Sequence, residues 1–234
     1  FTNNQAEQHG GGIWFQAREL ILTNCLFEDN QCGQDGGGLY CYGIFIRSVE
    51  ITGCIFLNNT AQSDGGGVMI HHIQDGNGIN INDSEFKSNS SLNRGGGLCL
   101  IEIYDVLITH CTFNGNKEDW ISNSVYDEGG AIYIGSGSST ISFCTFNNNL
   151  ACNAGAIYSG GLIFVESCTF SQNIAWDGCD GLILNSDAII VNSIIIGEGR
   201  PHIHFGSGIY SVQFCDIFIT KTTYLFDGAV PAGL

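Results

Sequence analysis

One short acidic segment concentrates the residue types that could bind a sugar or a metal ion. In chain order its candidate residues are Asp119, Trp120, Tyr126, Asp127 and Glu128. The two aromatic rings could stack on a sugar ring, while the three carboxylates could bind its hydroxyls or Ca²⁺, the one cofactor that the sequence suggests. A simpler interpretation, an acidic loop that folds over its own aromatic side chains, is favoured.

Two segments that contain histidine are weaker candidates for a metal site. His71 and His72 precede residues 75–78, which lack the alternating oxygen ligands and terminal Glu of an EF-hand, so a turn is favoured. His202 and His204 would share one face of a strand, but no third ligand is evident, and surface histidines are favoured. The sequence therefore predicts no metal centre.

Catalysis lacks a supporting constellation of residues. An enzyme that cleaves polysaccharides needs a base and a stabilising cation, or two facing carboxylates, on one flank of the protein. The seven Lys and Arg residues do not recur at any one position of the repeat described below. A non-enzymatic protein is therefore predicted, and a polysaccharide lyase, a hydrolase or a carbohydrate-binding tailspike is the alternative.

The elements that must position these residues are copies of one repeat, with the pattern apolar-x-x-Cys-x-Phe-x-x-Asn. The phenylalanines of its clearest copies are Phe27, Phe56, Phe86, Phe113, Phe146 and Phe170. The corresponding asparagines are Asn30, Asn59, Asn89, Asn116, Asn149 and Asn173. A second column of glycine-rich motifs, such as residues 65–67, falls between these copies and stays in phase with them.

The apolar period within each copy is two, which indicates short strands rather than helices. No two-residue Asn-Gly hairpin links these strands, so each is expected to stack in parallel on the next coil. About eight coils at a spacing of about 4.8 Å would form a rod roughly 38 Å long. The sequence thus predicts an all-β solenoid, a single-stranded parallel β-helix.

Each column has an expected structural role. The phenylalanines should face inward and stack, and the cysteines two residues earlier should pack as small buried hydrophobes. The asparagines should form a ladder that satisfies amides and carbonyls at a bend. The glycines should permit a positive φ or a close backbone approach at the opposite bend.

The paired motifs resemble a known family. Gly129-Gly130-Ala131-Ile132 and Phe146-Asn147-Asn148-Asn149 are similar to the repeats of chlamydial polymorphic outer membrane proteins and of the wider right-handed parallel β-helix superfamily that includes pectate lyases. The resemblance covers residues 1 to about 218 and implies a right-handed, pectate-lyase-like β-helix. Because this fold carries adhesins, autotransporter passengers, tailspikes and lyases, it does not select one function.

The eleven cysteines favour an oxidising, extracellular setting. Cys152 and Cys179 occupy equivalent loops of consecutive coils, so a disulfide bond between them is predicted. Cys32 and Cys41 belong to one coil and could pair across it. No Cys-x-x-Cys spacing suggests zinc.

Composition and charge limit the partners. A formal charge of −16 disfavours nucleic acid and anionic lipid, and no apolar stretch reaches the length of a transmembrane segment. The predicted organisation is a β-helix over residues 1–219 and a C-terminal cap or docking segment over residues 220–234. Phe1 and Asn4 already match Phe-x-x-Asn, so the sequence is expected to open in mid-coil, where either a longer protein precedes it or a coil of another molecule covers that end.

The function predicted from these observations is an extracellular or cell-surface structural or adhesive protein. It would form a filament or a surface stalk by stacking end to end, or bind glycans or proteins of a host or a cell surface. The alternative is the polysaccharide-active enzyme or tailspike named above.

Overall fold

A computed structural model describes residues 1–44, 46–73, 78–119, 128–197, 202–219 and 226–228. These residues form short strands that pair only in parallel, within four sheets that run along a solenoid. No described residue belongs to a helix that is long and apolar enough to cross a membrane. The predicted all-β parallel solenoid is confirmed, while its right-handedness and its likeness to pectate lyases stay predictions.

The first sheet has nine strands, and the glycine-rich motifs lie in the chain just before strands of this sheet. The strands are β2 (Ile13–Phe15), β6 (Leu39–Tyr42), β10 (Val68–Ile73), β14 (Leu98–Ile103), β18 (Ile132–Ile134), β22 (Ile157–Ser159), β26 (Leu182–Leu184), β29 (Ile203–Phe205) and β32 (Phe226–Gly228).

The second sheet has eight strands, each of which follows a strand of the first sheet in the chain. They are β3 (Glu19–Thr23), β7 (Ser48–Thr52), β11 (Gly78–Asn82), β15 (Val106–Thr109), β19 (Ser138–Ser142), β23 (Leu162–Glu166), β27 (Ala188–Val191) and β30 (Tyr210–Gln213).

The third sheet also has eight strands and contains the Phe positions of the repeat. They are β4 (Leu26–Glu28), β8 (Ile55–Leu57), β12 (Glu85–Lys87), β16 (Thr112–Asn114), β20 (Thr145–Asn147), β24 (Thr169–Ser171), β28 (Ile194–Gly197) and β31 (Asp216–Ile219).

The fourth sheet closes each coil with strands of only two residues, which are too short to show an apolar period in the sequence. Its seven strands are β1 (Gln5–Ala6), β5 (Gln31–Cys32), β9 (Thr60–Ala61), β13 (Ser90–Ser91), β17 (Lys117–Glu118), β21 (Leu150–Ala151) and β25 (Ile174–Ala175).

A column of stacked rings fills the core behind the third sheet. Neighbouring rings from Phe27 to Phe170 lie 4.7–5.0 Å apart between centroids and within about 11° of parallel. Each ring is at most 1% exposed. Parallel pairing places equivalent residues one strand spacing apart, so the rings must meet face to face with a small offset. We call this the inner phenylalanine column.

The asparagine ladder satisfies the polar groups of the bend after the third sheet. The side chain of Asn59 donates to the carbonyl oxygen of Phe27 at 2.9 Å and to Oδ1 of Asn89 at 3.0 Å. In turn, Oδ1 of Asn59 accepts from both the backbone N–H and the side-chain amide of Asn30. The same bonds recur up to Asn173. Each buried amide thereby joins two coils without leaving a donor unpaired.

The cysteine column does more than fill space. The backbone N–H of Cys111 faces Sγ of Cys144 at 3.4 Å, and the thiol of Cys144 donates to the carbonyl oxygen of Ser142 at 3.2 Å. Ser84 occupies the same position and accepts from the N–H of Cys54 at 3.1 Å. Serine fits this column because it repeats the hydrogen bonds as well as the size of cysteine.

The glycine triplets hold the opposite bend. Gly65 has a φ of +65°, the left-handed region that favours glycine. A Cβ on the next residue, Gly66, would collide with the backbone of Ser90 on the neighbouring coil. The third position has more room, since Ala131 and Ala156 take it in two coils.

All eleven cysteines lie in the described part of the chain, and no disulfide bond joins any of them there. Cys41 points into the main core, whereas Cys32 lies on the fourth sheet outside that cluster. Cys152 and Cys179 do flank neighbouring coils, since Ala154 pairs with Cys179 in an isolated bridge. Both proposed disulfide pairings, Cys32 with Cys41 and Cys152 with Cys179, stay predictions about an oxidised form.

The described part of the C-terminal segment continues the first sheet. Phe226–Gly228 pairs in parallel with Ile203–Phe205. The other residues of the predicted cap, 220–225 and 229–234, lie outside the described residues. The boundary at residue 219 and the role of the segment as a cap stay predictions.

Candidate functional site

A row of charged side chains runs along the bend that leads into the first sheet. Each member immediately precedes the glycine motif of its coil. In every member after the first, the carbonyl oxygen accepts from the first glycine of the coil before. We call this set the charged row: His9, Asp35, Asp64, Arg94 and Glu128.

The centre of the charged row is a closed ion pair. Nε and Nη2 of Arg94 donate to the two carboxylate oxygens of Asp64, at 3.2 and 2.6 Å. His9 extends the row, with Nδ1 lying 3.2 Å from Oδ2 of Asp35. Arg94 is therefore already paired with a carboxylate instead of presenting a free cation to a substrate.

Burial and ion pairing have opposite effects on the pKa of each partner in this ion pair. Burial raises the pKa of Asp64, and the hydrogen bonds and charge of Arg94 offset this only in part. Burial acts to lower the pKa of Arg94, but the hydrogen bonds and charge of Asp64 outweigh it, so that pKa is raised. The pair is thus a cross-link between coils with its charges satisfied.

Under the charged row lies the outward-facing second residue of each of the first eight strands of the first sheet. Parallel register aligns these residues, which we call the outer column: Trp14, Tyr40, Met69, Cys99, Tyr133, Tyr158, Ile183 and His204. His9 stacks on Tyr40 at 4.4 Å, and the guanidinium of Arg94 lies 5.1 Å from the ring centroid of Tyr133. Met69 and Cys99 are consequently buried although they face away from the main core.

Beyond Arg94 the charged row no longer covers the outer column completely. Two tyrosines form a half-buried surface there. The rings of Tyr133 and Tyr158 stack at 5.2 Å, and the Tyr158 hydroxyl accepts from the Asn185 side chain at 2.9 Å. Burial raises the pKa of Tyr158, and the charge of Glu128 adds to the effect. We call Glu128, Tyr133, Tyr158 and Asn185 the tyrosine patch.

The tyrosine patch offers apolar rings beside hydroxyl, amide and carboxylate groups. Tyrosine combines a large apolar area with a polar end, which suits it to contacts with proteins and sugars. The arrangement can bind a ligand.

Only part of the predicted sugar-binding segment can be placed. Trp120, Tyr126 and Asp127 lie outside the described residues. Asp119 accepts from the hydroxyl of Ser90 and lies 2.8 Å from the amine of Lys117. Glu128 belongs to the charged row, and its backbone pairs in parallel with that of Arg94 in an isolated β-bridge. Binding of a sugar or Ca²⁺ by the five residues together stays a prediction.

One of the two histidines near the C terminus is not a surface residue. His202 is 2% exposed, and burial lowers its pKa against the charge of Asp180. It precedes β29, while His204 lies within the strand on the outer column. The interpretation of both residues as surface histidines is therefore wrong for His202.

The described residues do contain one group with the geometry of a metal site, at the opposite edge of the first sheet. The side chains of His71, His72 and Glu102 place one ligand atom each within 4.8 Å of one another. Nε2 of His71 is 3.8 Å from Oε2 of Glu102, and Nδ1 of His72 contacts the same oxygen. Burial lowers the pKa of His71.

Sequence reasoning did not identify the outer column or this histidine–glutamate cluster. The outer column has a signal, because each member follows the first apolar residue after a glycine-rich motif, as Tyr133 follows Ile132. Aligning the coils on the glycines would have revealed it. The cluster has no such signal, since Glu102 lies one coil away from the histidines and no motif joins them.

Comparison with known families supports the resemblance given by the repeats. Residues 24–42 and 53–70 match the model of the Chlamydia polymorphic membrane protein repeat. These are the stretches that carry Phe27 and Phe56 together with the glycine motifs that follow them, so the predicted resemblance is confirmed for these two repeats. No curated protein and no solved structure matches the chain.

Proposed function

We propose that this chain is a structural and adhesive β-helix of a cell surface, and that it acts by binding and not by catalysis. The match to a polymorphic membrane protein repeat supports the surface location. The observation that carries the proposal is the contrast between an interior that repeats the same residue types over most coils and an outer column that varies. The interior holds the shape, and the outer column presents different side chains at each coil.

Continuous ladders suit such a scaffold. Parallel strand pairing ties each coil to the next, and from Phe27 to Phe170 ring stacking and asparagine bonds are added, so the rod resists bending between neighbouring coils. A rigid scaffold reduces the entropy that a surface loses when it binds a partner. The tyrosine patch lies on this scaffold, and its member Glu128 is the last of the residues that the sequence predicts to bind sugar.

The tyrosine patch is the proposed contact surface for glycans or proteins of a cell surface. Tyr133 and Tyr158 are held in place by stacking, by Arg94 and by Asn185, so they lose little rotamer freedom on binding. Glu128 adds an acceptor for sugar hydroxyls or for a basic side chain.

Binding of the labelled 234-residue chain to cultured cells tests this proposal, with cells pretreated by glycosidase or protease to separate the two partner classes. The double variant Tyr133→Ser/Tyr158→Ser should lose most of the binding. The matched control is Leu26→Ser/Ile55→Ser, two side chains about 40% exposed on the third sheet. Undiminished binding by the tyrosine variant, or no binding by the unaltered chain, would contradict the proposal.

End-to-end stacking is a compatible second proposal, supported by the contacts of the first half-coil. The ring of Phe1 stacks on Phe27 at 4.8 Å and is 52% exposed, and Asn4 donates to Oδ1 of Asn30 at 2.8 Å. A further coil, from this polypeptide or from a second copy, could use the same contacts.

Sedimentation velocity and electron microscopy over a range of concentrations test the self-association. Concentration-dependent rods that Phe1→Ser shortens or abolishes are expected. Monomers at every concentration would count against stacking between copies, while leaving the adhesive proposal to its own assay.

A further inference from the structure

We propose that His71, His72 and Glu102 form a binding site for a divalent transition-metal ion, represented by Zn²⁺. The site joins two neighbouring coils at the edge of the first sheet. It is separate from the tyrosine patch, and it does not depend on the adhesive role proposed above.

The backbone brings the two histidines to the same side of the strand. Consecutive residues of a regular strand point to opposite faces, so neighbouring histidines would normally diverge. His72 has a φ of +69°, and Glu102, which lies opposite it in the adjacent strand, has a φ of +54°. This matched irregularity turns both residues so that three side chains converge.

These two conformations are unusual even within this protein. The other non-glycine residues with positive φ among those described lie at bends outside the strands, whereas His72 and Glu102 lie inside β10 and β14. A left-handed conformation in a residue with a long side chain is unfavourable and persists only when its surroundings enforce it. Such strain concentrates at functional sites, and here it positions ligand atoms.

The distances are close to those of a metal site. A tetrahedral ion at 2.0–2.1 Å from each donor holds its donors about 3.3–3.4 Å apart. Nε2 of His71 and Oε2 of Glu102 are 3.8 Å apart, slightly beyond that separation. His72 and Glu102 are in direct contact and must open slightly, which the Glu102 side chain can do because it is 54% exposed.

The surroundings pre-orient the rings. The ring of Tyr42 lies edge-on to His71 at 5.5 Å and 6.3 Å from that of His72, and the histidine rings meet at 84°. The side chains of His71 and His72 are 30% and 27% exposed, so an ion has access from solvent.

The donor set selects the class of ion. Two imidazoles and a carboxylate suit Zn²⁺ and neighbouring transition metals, whereas Ca²⁺ requires six to eight oxygen ligands. Three protein ligands leave the fourth position of a tetrahedral ion to water or to a ligand from another molecule. This differs from the Ca²⁺ that the acidic segment suggested.

Isothermal titration of the metal-free 234-residue chain with ZnCl₂ tests the site, after accessible thiols have been blocked by alkylation. One equivalent of Zn²⁺ should bind to the unaltered chain. Glu102→Gln and His71→Asn should each weaken that binding by more than 100-fold, since even outer-shell changes cost about 10- to 100-fold. His110→Asn, at an exposed histidine stacked on Phe143, is the matched control and should bind like the unaltered chain.

Two results would overturn the proposal: no stoichiometric binding by the unaltered chain, or binding that survives in both cluster variants. Far-UV circular dichroism establishes that each variant is folded. X-ray absorption of the Zn²⁺-loaded unaltered chain gives a second measurement that needs no variant. It should show nitrogen and oxygen neighbours with imidazole scattering, and a shell of sulfur neighbours would refute the assignment.

Discussion

The inner phenylalanine column and the outer column of the first sheet follow the same parallel register, yet they differ in every other respect. The inner column repeats one residue type over six coils, and its rings are almost completely buried. The outer column changes from coil to coil, from Tyr40 through Met69 and Cys99 to Tyr133. A shared register therefore does not impose shared chemistry. Burial alone does not fix the residue type, since Met69 and Cys99 of the outer column are buried as well. The type repeats where each side chain packs against its own equivalent in the next coil.

The two columns also differ in how they are held. An inner ring is enclosed by equivalent rings above and below. An outer side chain is covered by whatever the charged row supplies, which is His9 at one coil and Arg94 at another. We expect substitutions to separate the columns by the size of their effect on stability.

The largest effect is expected at the centre of the inner column. Phe113→Ala should lower the free energy of unfolding by about 3–5 kcal/mol, since it removes two stacking contacts and leaves a cavity. Urea denaturation followed by circular dichroism measures it. Tyr158→Ala in the outer column should cost less, and Thr112→Ala, on the exposed side of the same strand as Phe113, should cost almost nothing. Equal losses at Phe113 and Tyr158 would remove the distinction between the columns.

A substitution in the asparagine ladder should cause the second-largest loss of stability. Asn116→Ala removes the acceptor of two donors on Asn89 and a donor to the carbonyl oxygen of Phe86, all of them buried. Orphaned buried groups make a loss of about 2–4 kcal/mol the expected result in the same assay. Asn114→Ala is the control, because that side chain is half-buried and accepts only one long bond, at 3.4 Å. A similar loss at both positions would show that the ladder contributes nothing specific.

Loss of the ion pair that covers the outer column should cause the third-largest loss of stability. Arg94→Met should cost about 2 kcal/mol at pH 7, because the 6% exposed carboxylate of Asp64 is left without its cation. The pKa of Asp64 is already raised by burial, and losing Arg94 raises it further. Protonation relieves the unpaired charge, so the loss should be greatest at neutral pH and shrink towards pH 4.

Denaturation of Arg94→Met at pH 7 and pH 4 measures this dependence. Arg18→Met, at an exposed arginine, provides the control. A loss that is independent of pH would mean that Arg94 stabilises the fold by packing on Tyr133 alone, and not through its charge.

The smallest effect should come from a buried histidine at the bend into the first sheet. The pKa of His202 is lowered by burial, so below about pH 6.5 the unfolded chain binds a proton that the folded chain does not. Stability should therefore fall as the pH drops below that value. His202→Gln should reduce this acid sensitivity.

Urea midpoints at pH 7.5 and pH 5 for His202→Gln and for the unaltered chain measure the difference. His110→Gln shows whether the loss of any one histidine is sufficient. An unchanged acid sensitivity in His202→Gln would mean that other groups cause it.

Much of the fold can be predicted from the sequence, because residues that touch on neighbouring coils of a solenoid occupy the same position in successive repeats. Phe56 touches Phe27 and Phe86, and these are the neighbouring copies of the same motif. The asparagine ladder and the glycine bends follow for the same reason. The fourth sheet could not be predicted in this way, because a strand such as Thr60–Ala61 is too short to show an apolar period.

The candidate sites were less accessible to sequence reasoning. The acidic segment stood out by composition, and one of its members, Glu128, does belong to the tyrosine patch. The cover that Arg94 gives to Tyr133 depends on side-chain conformations at adjacent coils. The bonds between Arg94 and Asp64 likewise require a particular orientation of two side chains, which spacing does not reveal.

The sequence alone determined the repeating unit, the strand period and the parallel stacking, because these depend on a pattern that every coil repeats. Only the tertiary structure decided which outward side chains are covered, which stay open, and that His71 and His72 turn to the same side. The physical reason is that these features arise from single departures from the repeat. A left-handed φ at His72 or a guanidinium folded over a ring leaves no periodic trace.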